Sequence, residues 1–190
     1  MTEEQVAFGS MGEWEKWLSA NHETSDGLWL LIAKKDGGAE TVSYPEALEA
    51  ALCFGWIDGQ KGPLDDVHWR QRFTPRRSRS KWSKINREKA EALISAGRMR
   101  PAGLREVERA KADGRWDAAY AGAKTAVVPP DLELALAEND EARAFFAMLS
   151  GANRYAILYR IDDAKRPQTR ADRIAKFVAM LARHETIHPQ

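Results

Sequence analysis

From His68 to Phe73 the chain alternates strictly: Trp69, Gln71 and Phe73 fall on one side, and His68, Arg70 and Arg72 on the other. A period of two belongs to a β-strand with two unlike faces, and Pro75 ends it by removing a ladder donor. This strand must sit in a sheet with one face on a core and the other carrying two arginines side by side. The stretch then continues to Arg87 with Arg76, Arg77, Arg79, Lys81, Lys84 and Arg87, and with no Asp or Glu anywhere between His68 and Arg87. Trp69, Phe73 and Trp82 are interleaved with the cations, and Ser78, Ser80 and Ser83 add hydroxyls. Guanidinium groups fork onto carboxylates and phosphates, and aromatic faces accept stacked rings, so the segment suits an anionic or planar ligand.

The formal net charge of +1 conceals this. Residues 1–60 hold three basic and eleven acidic side chains, residues 61–115 hold sixteen and seven, and residues 116–190 hold ten of each. Two readings are open. The basic middle either pairs internally with the acidic first third or is held for a partner.

Capping signals place the helices. Ser10 with Glu13 and Ser43 with Glu46 have capping-box spacing. Trp14, Trp17 and Leu18 follow the first as one apolar face, and Ala47, Leu48, Ala51, Leu52 and Phe54 follow the second as a largely buried run. Between them, residues 27–34 are short, apolar and bounded by turn signals, which predicts a buried strand, with Asp36-Gly37-Gly38 turning the chain and Thr41-Val42 pairing back. Trp56-Ile57 begins another strand, with turns expected at Asp58-Gly59 and near Gly62-Pro63. Trp82, Ile85, Ala92, Leu93 and Ala96 suggest one face of a helix closed by Gly97, and a further helix starts near Pro101. Residues 121–130 read as a linker. Helices are then expected over 131–138, 140–149 and 153–162, with a last one opened by Thr169 and Asp172 and buried through Ile174, Phe177, Val178 and Leu181. The expected fold class is α+β, a small antiparallel sheet with helices followed by a helical C-terminal part. The expected division is 1–120, a linker at 121–130, and 131–190, either separate or packed as one unit with the first.

No apolar run approaches the roughly 18–20 residues needed to span a bilayer. The first residues lack the basic start and apolar stretch of a secretory signal. The only cysteine, Cys53, has no internal disulfide partner. It sits in an apolar helical run, where it reads as a buried, inert core residue. These features point to the cytoplasm without membrane insertion. The four histidines show no metal-ligand spacing, no phosphate or dinucleotide fingerprint is present, and no catalytic motif is recognisable, so neither metal nor cofactor is expected.

Several phrases together resemble a known family. They are Trp-Leu at 17–18, Gly-Leu-Trp-Leu at 27–30, Ser-Tyr-Pro-Glu-Ala-Leu at 43–48, Leu-Cys-Phe-Gly-Trp-Ile-Asp-Gly at 52–59, Arg-Phe-Thr-Pro-Arg-Arg at 72–77, Ser-Lys-Trp-Ser-Lys-Ile-Asn at 80–86 and Ala-Lys-Arg-Pro-Gln-Thr-Arg at 164–170. On these the chain resembles the YdeI/OmpD-associated (OmdA, bacteriocin-protection) proteins along nearly its whole length. The resemblance implies an α+β fold and a link to bacteriocin resistance and to an outer-membrane porin. It implies no catalytic mechanism.

The residues expected to contact a ligand are Trp56, Asp58, Arg70, Arg72, Arg76, Arg77, Ser80, Trp82 and Ser83, with Asp58 orienting one arginine. Three functions remain open from sequence: a binding protein for an anionic or phosphate-bearing ligand, nucleic acid among them; an enzyme or sequestering protein for a small toxic molecule; and a protein–protein adaptor.

Overall fold

The alternating segment lies inside a four-stranded sheet of order β1-β2-β4-β3. A computed structural model describes residues 4–189 of the chain. Its elements run β1 (Gln5–Val6), α1 (Met11–Asn21), β2 (Leu28–Ala33), α2 (Tyr44–Cys53), β3 (Trp56–Pro63), β4 (His68–Pro75), α3 (Lys84–Ser95) and α4 (Pro101–Ala112), then α5 (Pro130–Ala137), α6 (Asp140–Met148), α7 (Gly151–Asp162) and α8 (Pro167–Ala182). The fold is α+β. The sheet is antiparallel across β2, β4 and β3, and β1 joins β2 in parallel, which makes it mixed. The chain divides into two compact units, Met1–Ala119 and Tyr120–Gln190.

In the first unit one sheet face is dry. Leu28, Leu30 and Ile32 of β2, Trp56 of β3, and Gln71 and Phe73 of β4 are buried with Trp14 and Leu18 of α1 and most of α2. Trp14, fully buried, is the hub. Its ring lies 5.3 Å from Phe8, 5.3 Å from Trp17, 6.2 Å from Trp56 and 5.7 Å from Phe73, and its indole N–H donates to Ala47 O at 3.1 Å. Gly27, at φ +120°, opens β2 where a Cβ would come 2.5 Å from the Phe73 carbonyl oxygen, so only glycine fits that approach.

Three local expectations change. Asp58-Gly59 is not a turn: β3 runs through to Pro63 with a bulge between Asp58 and Lys61. The bulge frees the Gly59 and Gln60 carbonyls, and the buried Gln71 amide donates to both, at 2.9 and 3.1 Å. The reversal comes at residues 64–67, where Asp65 accepts from the Val67 and His68 amides; the bond from His68 does most to hold its carboxyl below the usual range. Thr41-Val42 is not a strand; the Thr41 hydroxyl accepts from Ala33 N and Val42 N donates to Phe8 O. The face of α3 is also rotated from the expected one. Asn86, Ala90 and Leu93 are buried, while Ile85 is 50% exposed. Trp82 precedes the helix, whose N-cap is Ser83, so counting from Trp82 sets the wrong phase.

In the second unit Leu132 and Leu136 of α5, Phe146 of α6, Ile157, Leu158 and Ile161 of α7, and Ile174, Phe177 and Leu181 of α8 form a separate core. Ala126 and Val128 pack against it, and the Tyr155 hydroxyl donates to Ala121 O. Asn153, 1% exposed, pins the tail by accepting from the Ile187 and His188 amides and donating to His188 O. Helix α8 starts at Pro167 rather than being capped by Thr169, because proline at the first position loses no intrahelical bond. Asp172 instead accepts from the Gln168 side chain.

Arg170 ties α8 to the other helices. It grips Asp131 with two bonds, at 2.6 and 2.9 Å, and donates to Ile161 O. The hydrogen bond from Arg170 holds the Asp131 carboxyl below its ordinary value. A carboxyl lowered on folding stabilises the native state above its unfolded pKa, and that contribution is lost as pH falls through the folded one. Native and Arg170→Ala proteins are therefore expected to differ in thermal midpoint at neutral pH and to converge as the pH is taken down past the ordinary Asp value of about 3.9 and through the lowered folded one. A constant difference down to acid pH would show that Arg170 acts by packing alone.

Candidate functional site

Side-chain alternation sorts the nine expected site residues into three places. Arg70 and Arg72 project from the face of β4 opposite the dry core, and their register partners on β2 are Leu31 and Trp29. These four are half-buried. The Arg70 guanidinium lies over the Trp29 ring, 4.7 Å from its centroid. Its Nε is buried with no hydrogen-bond partner among the described residues.

Trp56 and Asp58 lie on the other face. Trp56 is buried and its indole N–H donates to His22 O at 3.1 Å. Asp58 is paired in register with Phe73 and accepts a 2.8 Å bond from the Tyr44 hydroxyl of α2. In register with Phe73, it belongs to the face of the sheet opposite Arg70 and Arg72. A bulge and a two-sided strand, not a turn, fix where its carboxylate points.

The third group occupies the loop between β4 and α3. Arg76 is only 5% exposed, lies 3.5 Å from the Trp82 ring centroid, and donates to Lys81 O. Trp82 in turn meets Trp116 edge-on at 4.9 Å. Arg77 is exposed, and its amide donates to the Ser80 hydroxyl, while the Ser83 hydroxyl caps α3 by accepting from Asn86 N. Both serine hydroxyls therefore have local work. Arg115 fastens this loop from below through a 2.7 Å bond to Ser80 O. The first turn of α3 contains no acidic residue, unlike those of α5 and α6. Its positive end faces Lys84 uncompensated.

The two sequence readings can be compared with where the charges lie. Three glutamates of the acidic first third pair with cations beyond the basic segment. Glu49 pairs with Lys89 at 3.6 Å and Arg98 at 3.2 Å, Glu15 with Arg98 at 3.8 Å, and Glu23 with Arg105 at 3.1 Å. Within the segment Arg87 reaches Glu91 at 4.0 Å. Arg70, Arg77, Arg79 and Lys84 have no acidic partner among the described residues. The arginines of α8 behave differently, since Arg170 and Arg173 pair with Asp131 and Asp163.

Sequence reasoning missed Trp29, the platform under Arg70, and Lys61, which lies 4.2 Å from the centroid of the Trp69 ring. Trp29 is hidden in an apolar run that reads as wholly buried, although only its alternate residues are. Cys53 is 2% exposed, and burial pushes its thiol pKa up, as an inert core cysteine requires. Among the described residues no group of three or more His, Cys, Asp or Glu gathers to hold a metal ion. No helix among them is long and apolar enough to cross a membrane.

Residues 6–106 match the family described as Domain of unknown function (DUF8412). Residues 125–184 match the family described as Bacteriocin-protection, YdeI or OmpD-Associated. The resemblance read from sequence named the second family, and of its quoted phrases only the one at 164–170 lies within that match. The others fall within the first. The comparison with curated proteins returns no match, and that with solved structures returns none.

Proposed function

We propose that this protein, which belongs to the DUF8412 family through residues 6–106 and carries a YdeI/OmpD-associated domain at residues 125–184, is a binding protein for a phosphate-rich polymer, specifically single-stranded nucleic acid. The observation that carries the reading is the set of cations left over. Glu15, Glu23 and Glu49 of the first third pair with Lys89, Arg98 and Arg105, whereas Arg70, Arg77, Arg79 and Lys84 stay without acidic partners among the described residues. From Arg70 to Pro75 the strand covers roughly 17 Å at about 3.3 Å per residue, with Arg77 and Arg79 in the loop that follows it, a run suited to an extended chain of phosphates. Arg70 over Trp29 offers a stacked cation of the kind on which unpaired bases settle, and the acid-free start of α3 favours negative charge.

The test is a fluorescence-anisotropy titration of a labelled oligothymidylate at several salt concentrations. Binding through phosphate contacts is expected to weaken linearly in log–log form, with a slope of about −0.7 per phosphate on a single strand, so roughly −2 to −3 for three or four cations. No binding at low salt, or an affinity indifferent to salt, would overturn the proposal.

A further inference from the structure

We propose a second binding site, for a small aromatic carboxylate, in the cleft between α1 and α4 of the first unit. The cleft holds about 570 Å³, within the range of roughly 300–1,000 Å³ typical of small-molecule sites. Lys16 and Ser19 line it from α1, His22 from the end of that helix, Phe54 from the end of α2, and Arg100 and Arg105 from the start of α4. None of these belongs to the polymer surface.

The floor and the charge together specify the ligand. Phe54 is a nearly buried ring, with the His22 ring 5.3 Å away and the Arg100 guanidinium 6.0 Å away. A flat apolar body resting there brings its own charged end within reach of Arg100, whose planar fork matches a carboxylate. The acids near the cleft are already occupied, Glu23 by Arg105 and Glu15 by Arg98. Lys16 and Arg100 have no acidic partner among the described residues, and the lining as a whole sets three cations, Lys16, Arg100 and Arg105, against two carboxylates, Glu15 and Glu23, so a single anion completes the local balance. That single excess charge favours a monocarboxylate over a polyphosphate.

His22 sets a donor–acceptor pattern. Its Nδ1 lies 2.9 Å from the Leu18 carbonyl oxygen. A carbonyl can only accept, so Nδ1 carries a proton, and Nε2 lies 3.7 Å from Glu23 Oε1.

Benzoate, acetate and inorganic phosphate are the probes, titrated into the full chain and read by amide and imidazole NMR shifts. Benzoate is expected to saturate shifts at Gly12, Ser19, His22 and Ala102, with acetate and phosphate at least tenfold weaker. Arg100→Gln and, separately, Lys16→Gln are expected to weaken benzoate at least tenfold and fivefold while keeping the native amide spectrum elsewhere. Arg70→Ala should leave benzoate binding unchanged. Absence of saturable shifts at millimolar benzoate, phosphate binding as well as benzoate, or equal benzoate affinity in a folded Arg100→Gln protein would each overturn the site.

Discussion

Alanine at Arg70, Arg77 and Arg79 together is expected to weaken oligothymidylate binding by a hundredfold or more at low salt. A hydrogen bond to a charged group is worth about 1.5–3 kcal/mol, and three lost phosphate contacts multiply that even if each is partly screened. The salt slope should fall by about two, since each phosphate contact contributes about 0.7 on a single strand. The melting temperature should move little. Arg77 and Arg79 are exposed with no acidic partners among the described residues, and surface substitutions of that kind usually stay within about 0.5 kcal/mol, while Arg70, half-buried over Trp29, adds the loss of one ring contact of about 0.5–1 kcal/mol. Arg76 stays intact in this variant. It is buried against Trp82 and bonded to Lys81 O, so its removal uncovers an indole and confounds stability with binding. A triple variant that binds like the native protein would rule out these cations as the contact surface. One that melts far lower would show them to be structural.

The largest stability loss is expected at Trp14→Ala. Truncating a buried tryptophan costs about 3–5 kcal/mol, and here the Ala47 carbonyl also loses its indole donor. With aromatic neighbours on four sides the cavity has few flexible side chains to fill it. Because domains are stable by only about 5–15 kcal/mol, the first unit should approach the limit of folding. Thermal unfolding followed by near-ultraviolet circular dichroism reads this directly, because the tryptophan cluster dominates that signal. Trp14→Phe keeps most of the ring contacts and should recover more than half of the loss. A Trp14→Ala midpoint within a few degrees of native would mean that the cluster repacks and that the hub is not one.

Part of the candidate site is legible in the order of residues. Alternation alone puts Arg70 and Arg72 on one face and Gln71 and Phe73 on the other, and the ladder with β2 keeps that arrangement. The capping pairs at Ser10 and Ser43 mark the actual starts of α1 and α2. Asp58 misleads because a glycine after an aspartate signals a turn locally, whereas here it sits at a bulge inside a longer strand. The phase of α3 misleads because a tryptophan just outside a helix cannot be told from one inside it by spacing alone.

What the sequence by itself determined is therefore local: which residues share a face, where helices start, and that the middle third holds a run of cations without acids. Periodicity and capping act over a few residues, and a chain displays them in order. What the tertiary structure decided is which charges meet. Glu15, Glu23 and Glu49 could have neutralised any of sixteen cations in residues 61–115. The packing of α1 and α2 with α3 and α4 assigned them to Lys89, Arg98 and Arg105. Ion pairing falls off within a few ångströms of contact in water. Only the arrangement of elements far apart in sequence could leave Arg70, Arg77, Arg79 and Lys84 unmatched among the described residues, and place Trp29 beneath the first of them.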